Sequence, residues 1–206
     1  MAVFPRTGTA LVMCAPSGAG KTTLIKRLIE KYSRLTFSIS CTTRPPREGE
    51  VDGRDYHFME KEEFLKLVEE EYFAEWAEVH GNYYGTPLEA TRKLLAEGKD
   101  LLFDVDVQGA AQLEQSLPEA FFAFILPPSR EELERRLRAR GTEDEAAIAL
   151  RLFNAATELK EAEWFDAWII NDNQEKAFMD LCSVYRAACL NPSRRPEFIK
   201  HLLEQF

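Results

Sequence analysis

Short, nearly unbroken apolar runs recur along the chain, most of them followed by stretches in which apolar residues return every three or four positions. Residues 10–14 form the first such run and predict a buried strand, and residues 23–29 behind it carry helical spacing. Residues 35–39 alternate and predict a strand. Residues 60–71 predict a short amphipathic helix with Phe64, Leu67 and Val68 on one face, and residues 73–79 alternate again as a strand. Residues 81–87 predict a turn bearing Tyr83 and Tyr84, after which Pro87 suits the first turn of a helix reaching about residue 97. Residues 100–106 are a nearly continuous apolar run ending in acids, and residues 119–126 are another, stopped by Pro127 and Pro128. Ser129 is placed to cap a helix with Leu133 and Leu137 on one face, ended by Gly141. Thr142 is placed to cap a longer helix with Ile148, Leu152 and Phe153 on its apolar side. Residues 166–170 predict a last strand, residues 174–190 a helix, and residues 197–206 a short terminal helix. Apolar strands alternating with helices predict an α/β fold, with a mostly parallel core sheet flanked by helices.

The junctions between these elements carry the chemistry. Ala15, Pro16, Ser17, Gly18, Ala19, Gly20, Lys21 and Thr22 join the first strand to the first helix with the spacing of a phosphate-binding loop. Small residues let consecutive N–H groups turn around a phosphate chain, and a helix N-terminus favours the anion. Lys21 is placed to reach β- and γ-phosphates, and the Thr22 hydroxyl to ligate Mg2+. The first position of this pattern is usually Gly and here is Ala15. A positive φ at Ala15 would cost roughly 1–2 kcal/mol, whereas a negative one would cost nothing. A bare turn would not account for Lys21 and Thr22 at these offsets.

Residues 40–58 contain Pro45, Pro46, Gly49 and Gly53, which argue against regular structure. Arg44 and Arg47 beside hydroxyl side chains there suit a phosphate or a solvated charged loop. Asp104 ends an apolar strand, at the edge where open α/β sheets bind ligands, and is the natural partner for a Mg2+-bound water. Arg135, Arg136, Arg138, Arg140 and Arg151 form either solvated helix faces or a basic arm that closes on phosphates.

A net charge of −9 argues against a general nucleic-acid binder without excluding a locally basic pocket. The four Cys form no C-x-x-C pair, which predicts reduced thiols and a cytoplasmic setting. No apolar run approaches the ~20 residues of a membrane span, and the N-terminus does not read as a signal peptide. The three His lie far apart, with no metal-ligand spacing. The length fits one domain, as a monomer or homodimer, with no membrane or nucleic-acid partner expected.

Four motifs occur in one order: S-x-T-T-R-x-x-R-x-G-E-x-x-G-x-x-Y-x-F over residues 40–58, G-N-Y-Y-G over 81–85, D-x-D-x-Q-G over 104–109 and R-G-T-E over 140–143. With the phosphate loop, they make residues 8–188 resemble the guanylate kinase family, which phosphorylates GMP from ATP. The resemblance implies a P-loop nucleoside monophosphate kinase fold, as one domain over residues 1–206. Its core would be residues 1–34, 88–126 and 164–190. A GMP-binding insertion would span 35–87, a lid 127–163 and a tail of unassigned purpose 191–206. Arg44, Arg47, Tyr56 and Tyr84 would hold the GMP phosphate, while Ser40, Glu75, Thr86 and Asp106 would read guanine. Thr86 stands where the family more often has Ser. Lys21 and the loop amides would hold ATP phosphates, Thr22 and Asp104 would arrange Mg2+, and Asn171 would touch adenine. Arg136, Arg140 and Arg151 would stabilise the transferring phosphoryl, and dGMP would also fit as substrate. The family also contains silent modules that bind phosphopeptides, but those are degraded in the phosphate loop, which is kept here.

Overall fold

The computed structural model describes residues 6–139 and 144–206. In chain order the elements are β1 (Ala10–Cys14), α1 (Lys21–Lys31), β2 (Leu35–Phe37), β3 (Cys41–Thr42), β4 (His57–Phe58), α2 (Lys61–Glu69), β5 (Phe73–Val79) and β6 (Asn82–Pro87). They continue with α3 (Leu88–Ala96), β7 (Asp100–Asp104), α4 (Val107–Ser116), β8 (Phe121–Leu126), α5 (Arg130–Ala139), α6 (Glu145–Lys160), β9 (Ala167–Ile170), α7 (Gln174–Leu190) and α8 (Phe198–Leu203).

The large sheet has the order β2-β7-β1-β8-β9 and is parallel throughout. Parallel neighbours need crossovers, which the helices between them supply and which cover both faces. All five residues of β1 are fully buried. Ala10, Val12 and Cys14 pack with Leu101, Phe103, Ala110 and Leu113 on one side. Leu11 and Met13 pack with Leu24 and Leu28 of α1 and Leu181 of α7 on the other. That is why the run shows no polar alternation. β2 pairs with β7 in this sheet, with Leu35 opposite Asp100 and Phe37 opposite Leu102.

A second sheet, in the order β4-β3-β6-β5, stands beside the first. Here the sequence expectation is corrected. Residues 82–87 are not a turn but a strand antiparallel to β5, with Val79 opposite Asn82. The turn is only His80 and Gly81, with φ of 52° and 78°. Positive φ at both central residues is the tight hairpin geometry that matches strand twist. Residues 40–58, expected to be irregular throughout, contribute β3 and β4 as two-residue strands. α4 was not anticipated. It starts where the Asp106 carboxylate accepts from the Gly109 N–H at 2.8 Å. α6 is capped by Asp144, which accepts from the Ala147 N–H at 2.8 Å. The expected ends at Gly141 and Thr142 lie outside the described residues.

One buried acid fastens the chain ends to this core. The Asp100 side chain is fully buried at the start of β7. It accepts from Arg6 at 2.9 and 2.6 Å, from the Thr9 N–H at 2.8 Å and from the Tyr185 hydroxyl of α7 at 2.7 Å. Burial alone would raise its pKa, but the bonds from Arg6, Tyr185 and Thr9 hold it below the usual carboxylate value. Removing one partner of such a set costs about 3–5 kcal/mol. Urea unfolding of Asp100→Ala at pH 7 should show a loss of that order. Because the folded value is depressed, the wild-type advantage is present above about pH 4 and shrinks as pH falls further. Equal midpoints at pH 7 would contradict this role.

Candidate active site

From β1 the chain turns through residues 15–20 into α1. Gly18 and Gly20 have φ of 93° and 99°, in the left-handed region that favours glycine. A Cβ on Gly20 would also stand 2.3 Å from Asn171 Nδ2. Among described non-glycine residues only Glu71 and His80 have positive φ, so Ala15 is unstrained. Gly20 has no side chain to cap α1, and the helix starts at Lys21 with its first N–H groups turned toward the loop.

Distant segments grip this loop. The Ala19 carbonyl accepts from Asn171 Nδ2 at 2.7 Å and from Arg136 at 3.2 Å. Arg136 also donates to the Asn171 carbonyl at 2.9 Å and to Glu132 at 2.7 Å. Arg151 donates to Ser17 Oγ at 2.9 Å. Arg136 and Arg151 of the expected basic arm therefore reach the loop, while Arg140 lies outside the described residues. The Asn171 side chain is buried and its amide is directed at the loop, a contact its sequence position did not reveal. Beside it, Gly20, Thr23, Arg136, Asn171 and Asp172 line a cleft of about 400 Å³.

Lys21 Nζ lies 2.6 Å from Asp104 Oδ1 and donates to the Val105 carbonyl at 3.0 Å. The Thr22 side chain at the loop's end is exposed. Together, Asp104 and Thr22 offer one carboxylate and one hydroxyl. An all-oxygen set of this size suits Mg2+, which keeps its other positions for water and phosphate oxygens. No group of three or more His, Cys, Asp or Glu converges on a metal position among the described residues.

A second cleft, of about 750 Å³, is lined by Ser40, Glu50, Tyr56, Thr86 and Asp104. Ser40 Oγ lies 3.2 Å from Thr86 Oγ1, which donates to Glu75 Oε1 at 2.7 Å. Glu75 is only 7% exposed. Burial pushes its pKa up to about 6, nearby Asp106 pushes the same way, and the Thr86 bonds oppose both. The Arg44 guanidinium lies 5.5 Å from the Tyr56 ring centre, and the Tyr56 and Tyr84 rings are 6.1 Å apart. Arg47 is exposed. Glu50, not singled out from sequence, pairs with Arg44 at 2.9 Å and accepts from the Arg47 N–H at 2.7 Å. Its signal was its place inside the Arg-rich motif. Asp106 has a further duty that spacing did not show, as the cap of α4.

Keeping Glu75 ionised at neutral pH costs on the order of 2 kcal/mol, given a folded pKa of about 6 against 4.5. The folded value is raised, so stability falls as pH rises through that window. Glu75→Gln should therefore raise the melting temperature at pH 7.5 and lose most of that gain at pH 4.5. A gain that is absent, or equal at both pH values, would contradict the buried carboxylate.

A family model described as guanylate kinase matches residues 7–188. The guanylate kinase of Oleidesulfovibrio alaskensis is 59% identical over 204 residues, covering 99% of each chain. That of Lawsonia intracellularis is 54% identical over 198 residues, 96% of this chain and 93% of its own. The crystal structure of guanylate kinase from Anaplasma phagocytophilum matches with a TM-score of 0.72 at 32% identity, over 98% of this chain and 96% of that one. With the model spanning nearly the whole chain and relatives more than half identical along its length, the chain belongs to the guanylate kinase family.

Proposed function

We propose that the chain transfers the γ-phosphoryl group of ATP to GMP, giving ADP and GDP. The observation that carries the choice of base is the buried Glu75 carboxylate, held by Thr86, which lines the larger cleft together with Ser40. Guanine presents N1–H and N2–H₂ donors, which Glu75 and Asp106 accept, while the Ser40 hydroxyl donates to O6 and Thr86, whose one hydroxyl hydrogen goes to Glu75, holds that carboxylate in place. Adenine has no N1–H, so it would leave a buried carboxylate unpaired at a cost of about 1–3 kcal/mol. Nothing in this set reads the ribose, so dGMP serves as well.

Arg44, Arg47, Tyr56 and Tyr84 hold the GMP phosphate, guanidinium forks matching phosphate oxygens. Residues 15–22 wrap the ATP phosphates with backbone N–H groups, and Lys21 supplies the cation among them. The cleft at Asn171 receives adenine. Thr22 and Asp104 hold Mg2+, which when bound supplies positive charge against the phosphate oxygens. Arg136, Arg140 and Arg151 stabilise the charge that builds on the transferring phosphoryl. Phosphoryl transfer needs positioning and charge more than covalent help, so no general base is assigned. Closure of the GMP-binding region and the lid over the substrates keeps water from taking the phosphoryl. No helix among the described residues is long and apolar enough to cross a membrane. The protein acts in the cytoplasm as a monomer or homodimer.

ADP formation from Mg-ATP, with GMP, AMP, CMP and UMP supplied separately, tests this reading. Turnover with GMP and little with the other three is expected. Turnover preferring another monophosphate, or none from folded protein, would overturn it.

A further inference from the structure

One face of α4 is fastened to the backbone of β5. Gly109, Gln112 and Ser116 fall at i, i+3 and i+7 and therefore share a side of the helix. Gln112 Oε1 accepts from the Trp76 N–H at 3.0 Å, and its Nε2 donates to the Trp76 carbonyl at 3.0 Å. The side-chain amide thus engages both backbone groups of one residue, as an opposing residue of an antiparallel strand would. One turn on, Ser116 Oγ donates to the Ala74 carbonyl at 2.7 Å. These bonds fall on the two residues flanking Glu75.

The strand is irregular at the same place. Its register passes from Phe73 opposite Pro87 to Glu75 opposite Thr86, leaving Ala74 as the extra residue of a bulge. A bulge re-aims the side chain that follows it, and the re-aimed strand needs a fixed neighbour to keep its direction. Gly109 leaves the helix face hollow where the Glu75 carboxylate lies. A Cβ there would meet Glu75 Oε2 at 3.3 Å and Asp106 Oδ1 at 3.5 Å. The two carboxylates therefore meet across Gly109, one from the small sheet and one from the cap of a helix packed on the large sheet.

We propose that Gln112 is a positioning residue for base recognition. By pairing both backbone groups of Trp76, it fixes the separation of Glu75 from Asp106. The inference rests on the reading of those two acids as acceptors for guanine. Gln112 touches no substrate and acts through the β5 backbone.

Steady-state kinetics of the full chain with Gln112→Met and Gln112→Glu test it. Met keeps the length and loses both bonds. Glu keeps an acceptor for the Trp76 N–H but sets a carboxylate oxygen against the Trp76 carbonyl. Both variants should raise the KM for GMP about tenfold, with kcat and the KM for ATP within about twofold of wild type. Wild-type GMP kinetics in Gln112→Met would overturn the inference. So would equal rises in both KM values that track a fall in melting temperature, since that pattern is general destabilisation. A wild-type protein that does not phosphorylate GMP would instead remove the reading on which the inference rests.

Discussion

Parallel pairing of β1 with β7 sets Met13 opposite Asp104, and the site is built outward from that register. Both strands end at the same edge of the sheet. One continues into the loop over residues 15–20 and the other ends in a carboxylate. The first residue of α1 can therefore place its ammonium 2.6 Å from Asp104. A slip of one residue would send the Asp104 side chain to the opposite face, because side chains alternate along a strand. The same parallel arrangement requires helices on both faces, and these cover the fully apolar β1. Core packing and site geometry are thus two consequences of one pairing.

The loop is held by its own backbone as much as by the sheet. Its Ala19 carbonyl is the common acceptor for Asn171, at the end of β9, and for Arg136, on α5. The Asn171 N–H is in turn paired with the Leu126 carbonyl at 2.8 Å, at the end of β8. Segments far apart in sequence therefore converge on one peptide group, and glycine at position 20 leaves the space they need. Pre-set N–H groups need little rearrangement to receive a phosphate chain, which is the condition for strong electrostatic stabilisation.

Much of this was legible in the sequence, for reasons that differ from element to element. β1, β7 and β8 announced themselves because burial on both faces leaves an apolar run that local composition does not mask. β6 stayed hidden because Asn82, Gly85 and Pro87 are poor strand formers, and its partner β5 decides its state. The one local signal was Gly81 after His80, between alternating residues. α4 stayed hidden behind Gly109, whose value is space for Glu75 rather than helix propensity. At the site, the loop motif carried its own physics, so Lys21 and Thr22 could be placed by spacing. Glu75 could not, since an acid in an alternating strand reads as solvent-facing until the structure shows it 7% exposed. The turning of Asn171 onto Ala19 is a tertiary contact across 152 positions, beyond any local pattern.

The central claim is that Glu75 is a buried acceptor waiting for two donors. The direct measurement is an NMR titration of the Glu75 carboxyl carbon, with and without GMP. A pKa near 6 in the free protein, falling well below that when GMP is bound, is the result expected, because N1–H and N2–H₂ donors favour the ionised form. An ordinary carboxylate value in the free protein, or one that GMP leaves unchanged, would contradict the account.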